Sequence, residues 1–145
     1  MDDPFDLERF RRAQAGVVDG ALAELRAGRK RGHWMWFVFP QVRGLGGSEM
    51  SRRYAIGSLA EARAYLADPT LGPRLRACCE ALLALGDDAD MRSVLGGIDA
   101  LKLRSSMTLF ALADPSEPLF ARVLRRWYDG DQDDATVRLL DHAAD

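Results

Sequence analysis

The feature that most constrains this chain is its punctuation. Helix start and stop signals recur along the whole length, and between them apolar residues repeat at helical spacing. Asp3-Pro4 opens a segment carrying Phe5, Leu7 and Phe10, which breaks near Gly16. Val17, Val18, Ala21, Leu22 and Leu25 then repeat up to Gly28. Ser58-Leu59-Ala60-Glu61 is a capping-box pattern, in which a hydroxyl and a carboxylate satisfy amides that the first turn leaves open. It starts a helix through Leu66, which Asp68-Pro69 ends. Leu75, Cys78, Cys79, Leu82, Leu83 and Leu85 mark another, and Asp90 to Leu95 a short one closed by Gly96-Gly97. A long helix runs from Ile98 to about Ala113 and stops at Asp114-Pro115. Pro118 suits the first turn of a helix from Leu119 to Tyr128. Asp133 or Asp134 can cap the last, through Leu140.

No segment alternates convincingly as a strand would. Residues 33–39 are apolar on every side, so a short buried helix and a buried strand both stay open, with the helical surroundings favouring helix. The expected fold is all-α. It is a compact single-domain bundle of about seven or eight helices over residues 1–145, with a Gly-rich loop after a short aromatic segment. At 145 residues, 48% apolar and 29% charged, the chain can bury a core without metal or disulfide. The net charge of −2 gives no global pull toward nucleic acid or anionic lipid. Locally, residues 26–53 carry seven basic side chains against Glu49, and residues 129–145 carry six acidic ones against Arg138.

The two cysteines, Cys78 and Cys79, are adjacent, and neighbouring helical side chains diverge by about 100°, which opposes a bond between them. Neither zinc nor redox spacing is present, which fits a reducing cytoplasm. The acidic start, Met1-Asp2-Asp3-Pro4, does not read as a signal peptide. The longest apolar run, Trp34 to Phe39, is too short for a membrane span. Asp129-Gly130-Asp131-Gln132-Asp133-Asp134 lacks the central Gly and final Glu of a calcium loop, so it reads as a solvated turn and a helix cap. No metal ligand set or cofactor motif is expected.

Chemistry concentrates in residues 33–48, which hold two of the three Trp and one of the two His. Aromatic mass beside a cation and a bendable backbone suits a ligand pocket. The turn Gly44-Leu45-Gly46-Gly47-Ser48 leads into a helix expected over Met50 to Ile56, with Ser48 as its cap. Its free amides, with Arg43, Arg52 and Arg53, suit a phosphate or carboxylate. Against that stands a plain Gly-rich turn, since neither a Walker ending nor a preceding strand is present. His33 is a candidate proton carrier. Trp34 and Trp36 suit stacking or core filling, Gln41 suits reading a ligand edge, and Tyr54 completes the set.

Leu101 to Phe110 is the second unusual segment. Leu101, Leu109 and Leu112 form one apolar sector and Leu103, Met107 and Phe110 another, so the helix is central. Lys102 with Ser106, and Arg104 with Thr108, occupy the gaps between. Charges there need a partner, and Asp99, Glu80, Glu24 or a bound anion qualifies. A Lys102–Ser106 nucleophilic pair has no supporting acyl-transfer motif. Ser105 and Ser106 otherwise serve as small residues that permit close helix contact, or line the same pocket.

Several strings together carry a resemblance: Asp3-Pro4-Phe5-Asp6-Leu7, Arg9-Phe10, Ala13-Gln14, His33-Trp34-Met35-Trp36, Phe39-Pro40-Gln41, Gly44-Leu45-Gly46, Tyr54-Ala55-Ile56, Tyr65-Leu66, Leu71-Gly72-Pro73-Arg74-Leu75 and Leu101 to Phe110. Over nearly its whole length the chain resembles a bacterial family known only as domain of unknown function 1810. The resemblance implies a compact, mostly or wholly helical domain and supplies no activity, cofactor or catalytic residue. Some members carry a calpastatin label. A calpain inhibitor would read as a long, disordered, Pro- and Lys-rich chain, which this is not. Similar sequences often place His before the Pro that follows Tyr-Leu, whereas this chain has Asp68.

Three functions fit. The favoured one is a pocket protein, with enzyme activity left open, for a small phosphorylated or nucleotide-like anion. His33 and Lys102 would be catalytic, with Trp34, Trp36, Gln41, Arg43, Ser48, Arg53, Tyr54, Arg104, Ser105 and Ser106 binding the ligand. It requires the two unusual segments to converge. The alternatives are a protein-interaction module using Arg29-Lys30-Arg31, and a single-stranded nucleic-acid binder, which needs exposed Trp. Nucleic acid is disfavoured, no membrane contact is expected, and the oligomeric state is not legible.

Overall fold

The structure is a computed structural model and describes residues 2–142. Among these residues the chain forms ten helices and no strand. They are α1 (Glu8–Gln14), α2 (Val18–Arg26), α3 (Met35–Val38), α4 (Glu49–Arg53), α5 (Leu59–Ala67), α6 (Leu71–Leu83), α7 (Met91–Leu95), α8 (Gly97–Ala113), α9 (Leu119–Tyr128) and α10 (Asp134–His142). The count exceeds seven or eight because α3, α4 and α7 are single turns of four or five residues. Within residues 33–39, Met35–Val38 form the short helix α3. The only pairing of extended backbone among the described residues is an isolated parallel bridge between Val42 and Ile56.

Most helices start where a side chain can take their open amides. The Asp3 carboxylate accepts from the Leu7 and Glu8 amides at 2.8 and 2.9 Å. Those bonds, with Arg11 nearby, hold its carboxyl below the usual carboxylate range, against a small opposing desolvation. The Ser48, Ser58 and Asp90 side chains cap α4, α5 and α7. Asp133 rather than Asp134 caps α10, accepting from the Thr136 amide and hydroxyl at 3.0 and 2.6 Å. Asp68 accepts from the Thr70 and Leu71 amides and pairs with Arg11 at 2.6 Å. In this chain that position therefore opens α6.

Helix α8 is central, packing against α5, α7, α9 and α10. Leu103, Met107, Leu109 and Phe110 are fully buried. The expected sector on Leu101 is corrected, because Leu101 is 60% exposed and Ile98 is 74% exposed. The first turns of α8 are packed on one side only, with Ala100 and Leu103 buried, and Ile98 and Leu101 lie on the open side. A run of rings ties the helices together: Phe10 meets Tyr65 edge-on at 5.1 Å, Tyr65 meets Phe110 at 5.3 Å, and Phe110 meets Phe120 at 5.7 Å. Beside them the buried Gln14 amide donates to the Phe37 carbonyl and the Tyr65 hydroxyl. Cys78 and Cys79 are free and buried. Burial pushes the Cys78 thiol up to about 12 and raises that of Cys79 as well. No described helix is long and apolar enough to cross a membrane.

Candidate functional site

The site begins with the chain path after α3. Met35, Phe37 and Val38 turn inward and Trp36 stays half-buried, so one turn of helix divides between core and surface. The following residues are clamped to the segment before α5. The Arg43 amide donates to the Ile56 carbonyl at 2.8 Å, and the Ile56 amide donates to the Gln41 carbonyl at 2.9 Å. Gly44 follows with φ +105°, a conformation that side chains disfavour, and a Cβ there would lie 3.1 Å from Leu139. This fixes the backbone of Arg43 while its side chain projects outward, exposed. The guanidinium lies along Gly57, where an added Cβ would come within 3.2–3.3 Å of its atoms.

Arg43 stands on the boundary of two hollows. The smaller, about 30 Å³, is lined by Trp36, Gln41, Arg43, Ser51 and Tyr54 among others. The larger is an open cleft of about 570 Å³ lined by Phe5, Arg9, Arg43, Arg52, Arg53 and Glu61 among others. Four of its side chains are arginines and two, Asp6 and Glu61, are acidic. Their engagement differs. Arg9 donates to the Phe5, Asp6, Arg53 and Ala55 carbonyls and pairs with Glu61 at 2.8 Å. Glu61 is 5% exposed and also accepts from the Gly57 amide. Arg52 reaches the Gly47 carbonyl at 2.6 Å, and Arg53 pairs with Glu49 at 3.1 Å. Among the described residues, the Arg43 guanidinium has no hydrogen bond and no ion pair.

The residues singled out from sequence fall into several places. Trp36, Gln41, Arg43 and Tyr54 come together at the small hollow, and Arg53 stands in the adjoining cleft. Lys102 reaches them from α8, its Nζ lying 4.9 Å from the Trp36 ring centre. It also pairs with Asp99 at 3.6 Å, as does Lys30 at 2.9 Å. Trp34 is buried, its indole N–H donating to Glu24 at 3.1 Å, so its ring is not a stacking surface. His33 is exposed and lines neither hollow.

The other side chains of α8 point elsewhere. The Ser105 hydroxyl donates to the Leu101 carbonyl at 3.2 Å, and Ser106 is fully buried with no partner for its hydroxyl. Arg104 lines a separate cavity beside α9 and α10, and its acid is Asp133 at 3.6 Å, which was not among the expected partners. At the small hollow, the two unusual segments therefore meet where Lys102 lies over Trp36.

The Gly-rich turn leads into α4 with Ser48 as its cap, as expected. Helix α4 ends at Arg53 rather than Ile56, and the Ser48 hydroxyl already accepts from the Ser51 amide at 3.1 Å. A five-residue helix has little dipole to offer. Arg9 and Glu61 were missed as cleft residues because their contacts cross 44 to 52 positions of sequence. The capping box at Ser58 was the one local trace of Glu61. No group of His, Cys, Asp or Glu among the described residues has the arrangement of a metal site.

A family model described as "Protein of unknown function (DUF1810)" matches residues 4–140. The chain belongs to this family. Among solved structures, this DUF1810 chain is similar to the conserved hypothetical protein Rv1873 from Mycobacterium tuberculosis, with 52% sequence identity and a TM-score of 0.93. The match covers 96% of this chain and 99% of the mycobacterial one. No curated protein matches it.

Proposed function

We propose that this DUF1810 chain is a pocket protein for a small phosphate-bearing anion of the phosphorylated-metabolite or nucleotide class. The observation that carries the reading is the free Arg43 guanidinium, held between the small hollow and the arginine-lined cleft. A guanidinium with its fork of donors unengaged matches a phosphate oxygen pair bidentately. Arg52 adds charge beside it. The small hollow has room for about one water-sized group, so a phosphate oxygen fits there and a base or sugar belongs in the larger cleft. Trp36, Gln41 and Tyr54 supply the edge and aromatic contacts. Lys102 is the nearest second cation, across the Trp36 ring. Two free, buried cysteines fit a reducing compartment, and we place the protein in the cytoplasm.

Buried Trp34 weighs against base stacking on single-stranded nucleic acid. The interaction-module reading has one specific observation in its favour, the exposed Ile98 and Leu101 on α8. Ile98→Glu/Leu101→Glu would abolish any self-association seen by light scattering. A wild-type chain that stays monomeric at all concentrations removes self-association from consideration.

The test of the pocket is a thermal-shift screen of wild type and Arg43→Ala against inorganic phosphate, pyrophosphate, mononucleotides and sugar phosphates. A ligand at ~100 times its dissociation constant adds about 2.7 kcal/mol, a clear shift. The expected result is a shift with one of these classes that Arg43→Ala loses. No shift with any of them, or an equal shift in the variant, overturns the reading.

A further inference from the structure

A second cavity, of about 720 Å³, opens between α8, α9 and the turn before α10, well apart in sequence from the Arg43 loop. Its polar lining is of both signs, Arg104 and Arg125 against Asp131 and Asp134. Leu124 and the small side chains Ala111 and Ala121 give it an apolar wall.

The backbone that carries the acidic side chains is held in place, and among the described residues the lining charges do not neutralise one another. Asp129 and Gly130 both take left-handed backbone, with φ of 53° and 80°, which turns the chain out of α9. The Gly130 and Asp131 amides donate to the Leu124 and Tyr128 carbonyls at 3.0 and 2.9 Å. Two residues on, the Asp133 amide donates to the Thr108 hydroxyl of α8 at 2.9 Å. The turn is thus pinned at both ends, and the Arg125 stem lies against Gly130. Among the described residues, Arg125, Asp131 and Asp134 make no side-chain hydrogen bond or ion pair. Arg104 has only the 3.6 Å contact with Asp133, and its Nε is buried without a partner.

A simple anion gains from the arginines and is repelled by the aspartates, and a simple cation meets the reverse. Only a ligand that carries both charges gains from the whole lining. We propose that this cavity binds a small zwitterion, a free amino acid with an aliphatic side chain. Its carboxylate faces Arg104 and Arg125, its ammonium faces Asp131 and Asp134, and its side chain lies on Leu124. The proposal does not rest on the anion site, which uses none of these residues.

The test uses the full chain, with amide resonances of residues 130–133 followed by NMR. The probes are L-leucine, L-leucinamide and N-acetyl-L-leucine. L-leucine is expected to shift these resonances in a saturable way. Each blocked analogue is expected to bind at least about tenfold more weakly, the loss of one charge-assisted contact. Arg125→Gln should weaken L-leucine and leave L-leucinamide unchanged. Asp131→Asn/Asp134→Asn should weaken L-leucine and leave N-acetyl-L-leucine unchanged. The three side chains concerned are exposed and unengaged among the described residues, so both variants should melt close to the wild type. No saturable shift with L-leucine, or equal binding of the blocked analogues, overturns the proposal.

Discussion

Arg9 and Arg43 line one cleft, and their guanidinium groups stand in opposite conditions. Arg9 meets four backbone carbonyls and the buried Glu61, so it joins α1 to the segment that leads into α5. Arg43 lies along Gly57 and meets no acceptor among the described residues. Identical side chains lining one cleft thus differ in how far the fold engages them. An engaged guanidinium holds the fold, because removing it strands its acceptors. A free one contributes little to the fold and keeps its donors for a ligand. The contrast extends across the molecule, where Ser58 and Glu24 are engaged and Ser106 is free but sealed inside.

The largest effect should come from Arg9→Ala. It leaves Glu61, only 5% exposed, without its countercharge, and a loss of about 3–5 kcal/mol in urea unfolding is expected. Adding Glu61→Gln should recover part of that loss, since the stranded charge disappears. If Arg9→Ala costs no more than a surface substitution, the two arginines are not different in kind.

Ser58→Ala removes the α5 cap and should cost about 1 kcal/mol. Ser106→Ala should act in the other direction and raise the unfolding midpoint by up to about 1 kcal/mol, because a buried hydroxyl without a partner is itself a cost. A destabilised Ser106→Ala would mean that the hydroxyl is engaged after all.

Glu24 sharpens the engaged side through pH. Its partial burial opposes ionisation. The Arg31 and Gly32 amides, the Trp34 indole and the Lys30 charge outweigh that and hold its carboxyl below the usual range. A lowered folded value means that its stabilisation is fully present above about pH 4.3 and is lost as pH falls through the folded value. Urea midpoints measured from pH 6 to pH 3 should fall on this limb, and Glu24→Gln should flatten part of the fall. The smallest effect on stability belongs to Arg43→Ala, expected within about 0.5 kcal/mol without ligand.

What sequence could show here follows from how local the physics is. Caps are local. Ser48, Ser58, Asp90 and the pair Asp133/Asp134 mark helix starts because hydroxyl or carboxylate and amide lie three residues apart. Periodicity placed the middle of α8 in the core. It could not show that nothing covers one face of the first turns of α8, which leaves Leu101 exposed. Lys102 found its expected Asp99, three residues away on its own helix. Arg104 found Asp133, brought there by the turn after α9, a tertiary fact with no local trace. Trp36, Gln41, Arg43 and Tyr54 group together in sequence because they lie in one short stretch of chain. The bridge from Val42 to Ile56 that closes that stretch on itself was not legible, since Ile56 is expected in a helix. That Arg43 is free and Arg9 engaged was not legible, because acceptors arrive from distant segments.

The most direct test of the central claim is isothermal titration of pyrophosphate into wild type, Arg43→Ala and Arg43→Lys at one fixed salt concentration. The account predicts saturable binding to wild type. It predicts none to Arg43→Ala, and weaker binding to Arg43→Lys, which keeps the charge and loses the fork. All three proteins should unfold at nearly the same urea concentration. Equal binding by Arg43→Ala, or no binding by a well-folded wild type, would contradict it.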